Sequence, residues 1–269
     1  MAPLFDPFGT TDQLISFALS HPPRDGFPDP HWDVIALLHK RGTREIFDAA
    51  TRLLRSRNQS ERELGVNIHA QLGYDRNKPF AAKSTRLLVR LLEVEANENV
   101  IHAALIAFGH LHQPECVPAA VRFADHPDPG VRYAVTSALA GQDDARSINT
   151  LIALTNDPDV RVRDWATFDL ASQTEWDSPE LRAALWARLA DTDNVTRGEA
   201  LKGLARRKDA RAAEAISAEL NGPDPHDNAI EAADSLADPR LVPALEALRT
   251  RRPSNLWLEG VIATCRAGS

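Results

Sequence analysis

Apolar residues recur at helical spacing along most of the chain. In one clear stretch they are Val131, Ala134, Val135, Ala138 and Leu139. This i, i+3, i+4, i+7, i+8 pattern places all five side chains on one face of an α-helix, where they form a buried stripe. Alanine and leucine dominate such stretches, so intrinsic helix propensity agrees with the spacing. The pattern predicts an all-α protein.

The same stretch returns at a nearly constant interval. It reads DHPDPGVRYAVTSALA at residues 125–140, NDPDVRVRDWATFDLA at residues 156–171 and, more loosely, ADTDNVTRGEALKGLA at residues 190–205. Superimposing Arg132, Arg163 and Arg197 gives periods of 31 and 34 residues. A period of this size is typical of an α-solenoid, in which similar repeats stack side by side.

Each repeat is predicted to be a pair of antiparallel helices. The second helix begins at an Asp-rich turn such as Asp128-Pro129 or Asp157-Pro158, where the aspartate caps the helix and the proline fits its first turn. A first helix precedes each phrase, and we predict these helices at Glu115–Phe123, Arg146–Leu154, Glu180–Leu189, Arg211–Leu220 and Arg240–Leu248. A single pair cannot bury its apolar face, so neighbouring pairs must stack.

The pattern extends in both directions with decreasing regularity. Further helices are predicted at Thr11–Leu19, Trp32–Gly42, Leu64–Gly73, Val100–Gly109, Asn228–Leu236 and Leu256–Cys265. We therefore predict about eight helix pairs. Residues 1–30 are expected to form an irregular segment with a first capping helix, and residues 31–269 a single continuous α-solenoid. We interpret Gly109 and Gly141 as C-terminal helix caps.

These phrases resemble the HEAT-repeat proteins, and specifically the bacterial HEAT-like branch named for its similarity to phycobilisome lyases. The resemblance rests on DPGVRYAVTSALAG, DPDVRVRDWATFDLA, TRGEALKGLARRKDARAAEAI and DPRLVPALEAL, with RELGVNIHAQLG upstream, and it covers about residues 32–250. It implies that the second helices line a concave binding face. It also implies a charged ladder between repeats, formed by aspartate and arginine four residues apart on one helix face. We expect this ladder only in the three middle repeats, at Asp128 and Arg132, Asp159 and Arg163, and Asp193 and Arg197.

The charge of the chain is unevenly distributed. The net charge of −7 combines an excess of three positive charges in residues 1–90 with an excess of ten negative charges in residues 91–269. The acidic part would repel a phosphate backbone, so we do not expect a nucleic-acid partner. We interpret a local basic patch around Arg52, Arg55, Arg57 and Arg62 as a solvated helix end.

The sequence does not predict contact with a membrane. No apolar run approaches the roughly 18 residues that a membrane-spanning helix requires, and the first residues lack the layout of a signal peptide. Cys116 and Cys265 are far apart, so we expect free thiols in a reducing compartment rather than a disulfide framework. The expectation is a cytoplasmic monomer.

Sequence motifs for catalysis are missing, and we predict no catalytic, cofactor-binding or metal-binding residue. His110, His112 and Cys116 are close in sequence, with His102 nearby, but their spacing is not that of a closed zinc site. Another HEAT-like family, the deoxyhypusine hydroxylases, holds a di-iron centre with His-Glu dipeptides. No histidine of this chain precedes a glutamate, so that activity is not expected.

Function is expected to depend on exposed positions at which the repeats differ. The leading hypothesis is a non-catalytic scaffold or adaptor that binds a protein partner on the concave face. The predicted contact residues are Tyr133, Arg163, Asp164, Trp165, Arg197 and Glu199, with Trp176 at a rim, in a longer turn between repeats.

Three alternatives remain open. The Asp164-Trp165 dipeptide resembles the carboxylate and aromatics with which HEAT-like alkylpurine DNA glycosylases stabilise a cationic sugar and flank a damaged nucleotide, so an enzyme or another nucleic-acid-binding protein is one alternative. The family label suggests a bilin lyase-like protein. A module that regulates the product of a neighbouring gene, such as a toxin-neutralising protein, is the third.

Overall fold

The fold consists of α-helices. The computed structural model describes residues 5–24 and 29–268, and within these ranges the chain forms sixteen α-helices, three short 3-10 helices and no strand. The chain divides into two compact units, Met1–Leu139 and Ala140–Ser269. A single continuous array over residues 31–269 stays a prediction. Part of the expected irregular segment, residues 1–4 and 25–28, lies outside the described residues.

The first unit contains eight helices. They are α1 (Thr11–Ser20), α2 (Pro30–Arg41), α3 (Arg44–Leu53), α4 (Gln59–Gln71), α5 (Ala81–Leu92), α6 (Glu98–Leu111), α7 (Val117–Val121) and α8 (Pro129–Leu139). Two 3-10 helices, Tyr74–Arg76 and Pro114–Cys116, precede α5 and α7.

The second unit also contains eight helices. They are α9 (Ala145–Leu154), α10 (Val160–Ser172), α11 (Pro179–Arg188), α12 (Asn194–Arg206), α13 (Ala212–Asn221), α14 (Asp227–Leu236), α15 (Val242–Arg251) and α16 (Trp257–Ala267). A 3-10 helix at Pro239–Leu241 precedes α15.

Consecutive helices pack as pairs, from α1 with α2 to α15 with α16. Neighbouring pairs stack mainly through their second helices: α4 on α6 and α6 on α8 in the first unit, and α10 on α12 and α12 on α14 in the second. The prediction of an all-α solenoid of about eight helix pairs is therefore confirmed. Within each unit we call the surface formed by the second, even-numbered helices the second-helix face, and the opposite surface the first-helix face.

The second helices carry many of the most deeply buried side chains. Ile68, Leu105 and Leu139 of the first unit are fully buried, as are Leu170 and Leu204 of the second. Each second helix is covered by its own first helix and by neighbouring second helices, so it buries a wide apolar stripe. Trp165 on α10 is among the side chains that remain exposed on these helices.

Asp-rich turns cap the second helices, as predicted for Asp128, whose Oδ1 accepts from the N–H of Val131 at 2.9 Å. The prediction that Asp157 caps the next second helix, with Pro158 in its first turn, is wrong, because α10 begins at Val160 and Asp159 is its cap. A carboxylate oxygen of Asp159 accepts hydrogen bonds from the backbone N–H groups of Arg161 (2.9 Å) and Val162 (3.3 Å). Asp193 caps α12 in the same way through the N–H of Thr196 at 2.7 Å. These bonds satisfy N–H groups that have no partner inside the helix.

Two first helices begin later than predicted, for the same reason. The helix expected at Glu115–Phe123 is a 3-10 helix followed by α7, and the helix expected at Arg240–Leu248 is a 3-10 helix followed by α15. In each case a second proline, Pro118 or Pro243, lies in the first turn of the α-helix. Proline lacks the N–H that would continue an earlier helical turn, so the α-helix begins beside it.

The interpretation of Gly109 as a helix cap is wrong. Helix α6 continues to Leu111, and the residue that ends it is His112, whose φ of 50° and ψ of 52° are left-handed. Gly109 instead marks a close approach of two helices, since a Cβ atom there would lie 2.5 Å from the carbonyl oxygen of Ser137 on α8. Gly141, whose φ is 64°, is left-handed and directly follows the end of the preceding repeat's second helix.

In several repeats, an arginine side chain donates hydrogen bonds to the turn that precedes the second helix. Nη1 of Arg163 donates to the carbonyl oxygens of Asp157 (2.9 Å) and Pro158 (3.2 Å), six and five residues earlier. We call this arrangement the arginine clamp. It recurs with Arg62 on Ser56 and Arg57, Arg132 on His126 and Pro127, and Arg197 on Asp191 and Thr192.

Arginine clamps also join neighbouring repeats, but not through the aspartate four residues earlier. Nε and Nη2 of Arg163 donate to the carboxylate of Asp191 in the next repeat, at 2.9 and 3.1 Å. Asp159 caps the helix instead, so the predicted pairing of Asp159 with Arg163 is wrong. Two of the other three clamps also have an acidic partner in the next repeat: Glu95 for Arg62 and Glu219 for Arg197.

The clamp at Arg62 corrects two further expectations. It belongs to an earlier repeat, so the ladder is not limited to the three middle repeats. Its side chain is only 18 % exposed, and it donates to both carboxylate oxygens of Glu95, at 2.7 and 3.0 Å. Arg62 is therefore part of the scaffold, and not of a solvated basic patch.

Candidate functional site

The predicted contact residues do not all lie together. Tyr133 is half-buried on α8 of the first unit, and the other six belong to the second unit. Three of these six, Asp164, Trp165 and Glu199, lie on the second-helix face with neighbours from α10, α12 and α14. We call this set the acidic–aromatic surface, and its members are Asp164, Trp165, Phe168, Glu199, Lys202 and Glu231.

The aromatic part of this surface is one turn of α10. Trp165 is 41 % exposed. Its ring meets that of Phe168 edge to face, with centroids 5.6 Å apart and planes at 74°. Nζ of Lys202, on the adjacent helix α12, lies 6.0 Å from the centroid of the Phe168 ring, close enough for a cation–π attraction. An exposed indole with its ring edge held by a neighbour can bury a large area against a partner at low entropic cost.

The polar part of the surface carries more negative than positive charge. Lys202 lies between two carboxylates, with Nζ 3.4 Å from Oε2 of Glu199 and 3.1 Å from Oε2 of Glu231. Glu199 is only 8 % exposed, and its Oε1 accepts a hydrogen bond from Nδ2 of Asn228 at 2.7 Å. One lysine therefore faces two glutamates, and Asp164 adds a third acidic group.

Asp164 is held in an environment that disfavours its charge. Burial, together with the negative charges of Asp193 and Glu199, raises the pKa of Asp164 to about 6. A hydrogen bond with the side chain of Thr196 offsets part of this rise. Oδ1 of Asp164 is buried, and it has no hydrogen-bond partner among the described residues. An N–H or cationic group of a ligand beside the exposed indole would favour the ionised form of this carboxylate, but the side chain would have to rotate to bring Oδ1 to the surface.

Arg163 and Arg197 are committed to the scaffold. The side chain of Arg163 is 16 % exposed and that of Arg197 26 % exposed, and both form arginine clamps. Burial alone would raise the pKa of Asp191, but hydrogen bonds from Arg163 and from the backbone N–H of Asp193 hold it below its ordinary value. The geometry thus gives both arginines a structural role, and their contact with a partner stays a prediction.

Trp176 lies apart from Trp165, in the loop that follows α10. The indole is 39 % exposed. Arg207, whose side chain is 7 % exposed, holds this loop by donating to the carbonyl oxygens of Leu170 (2.8 Å), Thr174 (3.3 Å) and Trp176 (2.8 Å). The long connection that interrupts the repeat is therefore fixed in place by the end of α12.

Within residues 5–24 and 29–268, no three His, Cys, Asp or Glu side chains come together as a metal site, and no helix is both long and apolar enough to cross a membrane. Burial raises the pKa of the Cys116 thiol to about 12. A thiol with that pKa is a poor nucleophile at neutral pH.

Comparison with known proteins identifies the repeat. A family model described as HEAT repeats matches residues 85–171 and 150–237, which together span more than half of the chain. The chain belongs to the HEAT-repeat family. The predicted resemblance to bacterial HEAT-repeat proteins is confirmed, and the helix pairs described above are HEAT repeats.

Relatives of this HEAT-repeat chain have similar folds. Protein YibA of Escherichia coli K-12 is 32 % identical over 138 residues, which are 51 % of this chain and 49 % of YibA. The chain spans about half the length of the curated relatives it matches. The X-ray structure of YibA superposes over 99 % of this chain and 98 % of that chain, with a TM-score of 0.73 and 22 % identity. The complex of CpcE and CpcF of phycocyanin lyase from a Nostoc species covers 93 % of this chain and 97 % of that chain, with a TM-score of 0.50 and 18 % identity. The identities of 22 % and 18 % to these two solved structures show a shared fold alone.

Sequence reasoning missed three members of the acidic–aromatic surface. Phe168, Lys202 and Glu231 were not predicted as contact residues. The repeat pattern could have indicated Phe168 and Lys202, because each stands nine residues after the capping aspartate of its own helix, Asp159 or Asp193. Phe168 is also one helical turn beyond Asp164, on the same face of α10. Glu231 had no such signal, because its position depends on how α14 packs on α12.

Proposed function

We propose that this HEAT-repeat protein is a non-catalytic scaffold that binds a protein partner through the acidic–aromatic surface of its second unit. The observation that carries the proposal is the pairing of Asp164 with Trp165. An indole that is 41 % exposed stands next to a carboxylate whose ionised form its surroundings disfavour. The exposed part of the indole and the disfavoured charge of the carboxylate would each gain from binding an N–H-rich or cationic group. The remaining predicted contacts, Tyr133 and Trp176, lie outside this surface and are secondary candidates.

The same charges argue against the nucleic-acid alternative. Asp164 is surrounded by Asp191, Asp193 and Glu199, and the lysine on this surface is already paired with glutamates. A DNA backbone would meet repulsion where a glycosylase needs phosphate contacts. For a bilin lyase-like activity, the likeness to the phycocyanin lyase complex supports only the shared fold. The free, buried thiols of Cys116 and Cys265 fit the reducing cytoplasm in which we propose that the scaffold acts.

The test is a comparison of partners recovered by three forms of the protein from lysate of its native host. The wild type and the double variant Asp164→Ala, Trp165→Ala are used as baits, and bound proteins are quantified by mass spectrometry. We expect at least one specific partner to be depleted roughly tenfold or more with the double variant, as for loss of a central interface residue. Circular dichroism checks that the variant is folded.

Trp257→Ala is the matched control. Trp257, on α16, is also 41 % exposed but lies outside the acidic–aromatic surface. The control should recover the same partners as the wild type. If the double variant also recovers every partner at wild-type level, the acidic–aromatic surface is not the binding site. Loss of partners with both variants would indicate a non-specific role of exposed tryptophan.

A further inference from the structure

A groove on the first-helix face of the first unit is lined by cationic side chains, whereas the acidic–aromatic surface carries an excess of negative charge. It lies along α5, between α3 and α5, as two adjoining clefts of about 490 and 320 Å³ that share Thr51, Leu87 and Arg90. The helices α3 and α5 are first helices of neighbouring repeats, yet they contact each other little, whereas α13 and α15 pack directly. The connection between α4 and α5 is longer than in other repeats and contains the 3-10 helix Tyr74–Arg76. We call this feature the basic groove.

The walls of the basic groove are cationic. Arg44, at one end, is paired with Asp48 at 2.8 Å. The Glu95 carboxylate at the other end forms an ion pair with Arg62. Four further cations line the groove without an ion pair or hydrogen bond to any other described residue: Arg55, Lys83, Arg86 and Arg90.

The floor of the groove is apolar. It is formed by Leu54, Leu87, Leu91 and Val94, and Val94 is 84 % exposed. Along α5 and the turn after it, Lys83, Leu87, Arg90 and Val94 follow at i, i+4, i+7 and i+11, so they form one stripe in which cationic and apolar side chains alternate. A ligand in this groove would therefore meet both kinds of side chain along its length.

This stripe does not stabilise the helix that carries it. Arg86 and Arg90 stand four residues apart and Lys83 and Arg86 three apart, so these like charges repel one another. Lys83 also lies in the first turn of α5, where the positive end of the helix dipole opposes a cation, whereas Arg90 lies in the last turn, where the dipole favours one. The unfavourable interactions therefore fall mainly on Lys83 and Arg86. The fold gains little from these charges, which suggests that a negatively charged partner offsets them.

We propose that the basic groove binds an acidic amphipathic segment of a partner protein. Its carboxylates would pair with Arg55, Arg86 and Arg90, and its apolar side chains would cover Leu87 and Val94. The apolar floor favours a peptide over a nucleic acid, because a phosphate backbone has no apolar group to place on Val94. Helix α5 has 12 residues and is about 18 Å long, so about three turns of a helical ligand fit beside it. This surface is separate from the acidic–aromatic surface and would give the scaffold a second partner.

The first experiment selects peptide ligands for the basic groove. A displayed library of random 16-residue peptides is selected on the full chain, with counter-selection on the variant Arg86→Glu, Arg90→Glu. We expect the enriched peptides to carry an excess of Asp and Glu over Lys and Arg, with two or more large apolar residues at helical spacing. Enrichment of neutral or basic peptides would overturn the proposal.

The second experiment measures affinity with matched variants. An enriched peptide is labelled with fluorescein and titrated by fluorescence anisotropy. Arg86→Glu with Arg90→Glu should weaken binding roughly tenfold or more, and Val94→Ser about threefold, because the first reverses two paired charges and the second removes apolar contact. The control Arg57→Glu with Arg76→Glu makes the same change in net charge outside the groove and should weaken binding by less than about twofold.

Each of three outcomes would overturn the proposal. Equal loss with the control variant means that net charge, and not the groove, attracts the peptide. Displacement of the peptide by a 16-nucleotide oligothymidine at equal concentration means that the groove binds nucleic acid. A concentration-dependent dimer by light scattering that Arg86→Glu, Arg90→Glu abolishes means that a second copy of the chain is the occupant. If the glutamate variant unfolds, Arg86→Gln with Arg90→Gln replaces it.

Discussion

Individual arginine side chains form hydrogen bonds and ion pairs that link one HEAT repeat to the next. Arg163 donates four hydrogen bonds, two to carbonyl oxygens of its own turn and two to the carboxylate of Asp191, whose side chain is only 3 % exposed. Removing Arg163 would leave these carbonyl oxygens without their donor and the buried carboxylate with Arg188, at 3.1 Å, as its remaining arginine partner, so the loss is costly. Loss of an exposed pair costs less, because water replaces the lost partner.

Arg163→Ala is therefore expected to destabilise the protein by about 3 kcal/mol. The measurement is urea-induced unfolding followed by circular dichroism at pH 7.5. Arg146→Ala is the control, since Arg146 pairs with Asp144 at 3.0 Å but its side chain is 58 % exposed. That control should cost less than about 1 kcal/mol. Similar effects of the two substitutions would show that the clamp contributes no more than a surface ion pair.

A buried histidine makes the first unit sensitive to acid. His69 is fully buried, and its Nδ1 lies 3.0 Å from Oγ of Ser84. Burial lowers the pKa of His69 to about 4 from an ordinary value of 6.5. Between these two values the unfolded chain binds a proton that the folded protein does not. Stability from this residue is thus fully present above pH 6.5 and is lost as the pH falls towards 4.

Replacing His69 by a side chain that does not titrate should remove this dependence. For the wild type, the shift of the His69 pKa corresponds to a loss of about 2 kcal/mol between pH 7.5 and pH 5. In His69→Gln, the difference in unfolding free energy between these pH values should be smaller by that amount, whatever the stability of the variant at pH 7.5. Urea titrations at both pH values provide the comparison. An unchanged pH dependence would mean that His69 is protonated in the folded state.

The sequence predicts some residues well and others poorly, for a physical reason. Capping by an Asp-rich turn is local, because the partners of Asp159 are two and three residues away, although the sequence predicts Asp157 as the cap of this helix. The partner of Arg163 is not local: Asp191 lies 28 residues further along, and the nearer Asp159 has the correct helical spacing. Only the packing of two repeats shows which carboxylate the arginine reaches.

At the scale of helices, close packing depends on where a side chain is missing. At Gly109, α6 approaches the backbone of α8 so closely that an added Cβ would lie 2.5 Å from the oxygen of Ser137. At Gly260, on α16, an added Cβ would meet no atom within 4 Å. Both residues are glycines inside helices, so they form a matched pair that separates packing from helix propensity.

We expect opposite effects from alanine at these two positions. Gly109→Ala must push α6 and α8 apart and should destabilise the protein by about 1–3 kcal/mol. Gly260→Ala adds helix propensity without a clash and should stabilise it by about 0.5–1 kcal/mol. Thermal and urea unfolding of the two variants provide the test. Stabilisation by Gly109→Ala would show that α6 and α8 are further apart than described.

The helices themselves were predictable because their signals are local. Apolar spacing and Asp-rich turns located fourteen of the sixteen helices of the described residues; α3 and α5 were not predicted. Proline at positions 118 and 243 explains why α7 and α15 begin late. The loop that carries Trp176 was recognised as long but not as ordered. Its order depends on Arg207 from the next repeat, more than thirty residues away from the carbonyl oxygens that it contacts.

At the scale of the whole molecule, the two candidate surfaces differ in both charge and position in the repeat. The basic groove lies on first helices and the acidic–aromatic surface on second helices, each within one unit. The acidic–aromatic surface was partly predictable, because Asp164 and Trp165 depart from the repeat pattern. The basic groove was not predictable, because it depends on the separation of α3 and α5. Arg55 was taken for a solvated side chain.

A HEAT array transmits destabilisation mainly to neighbouring repeats. Leu170 is fully buried on α10, and Leu170→Ala should cost about 2–5 kcal/mol. Since α10 packs on α12 and α12 packs on α14, amide hydrogen exchange should rise most in α10, less in α12 and α14, and least in α2 and α4. Leu256→Ala is the control, since Leu256 is 80 % exposed, and it should change stability by no more than about 0.5 kcal/mol. A uniform rise of exchange in all helices after Leu170→Ala would mean that the chain unfolds as one cooperative body, in which case the two candidate surfaces could not be perturbed independently.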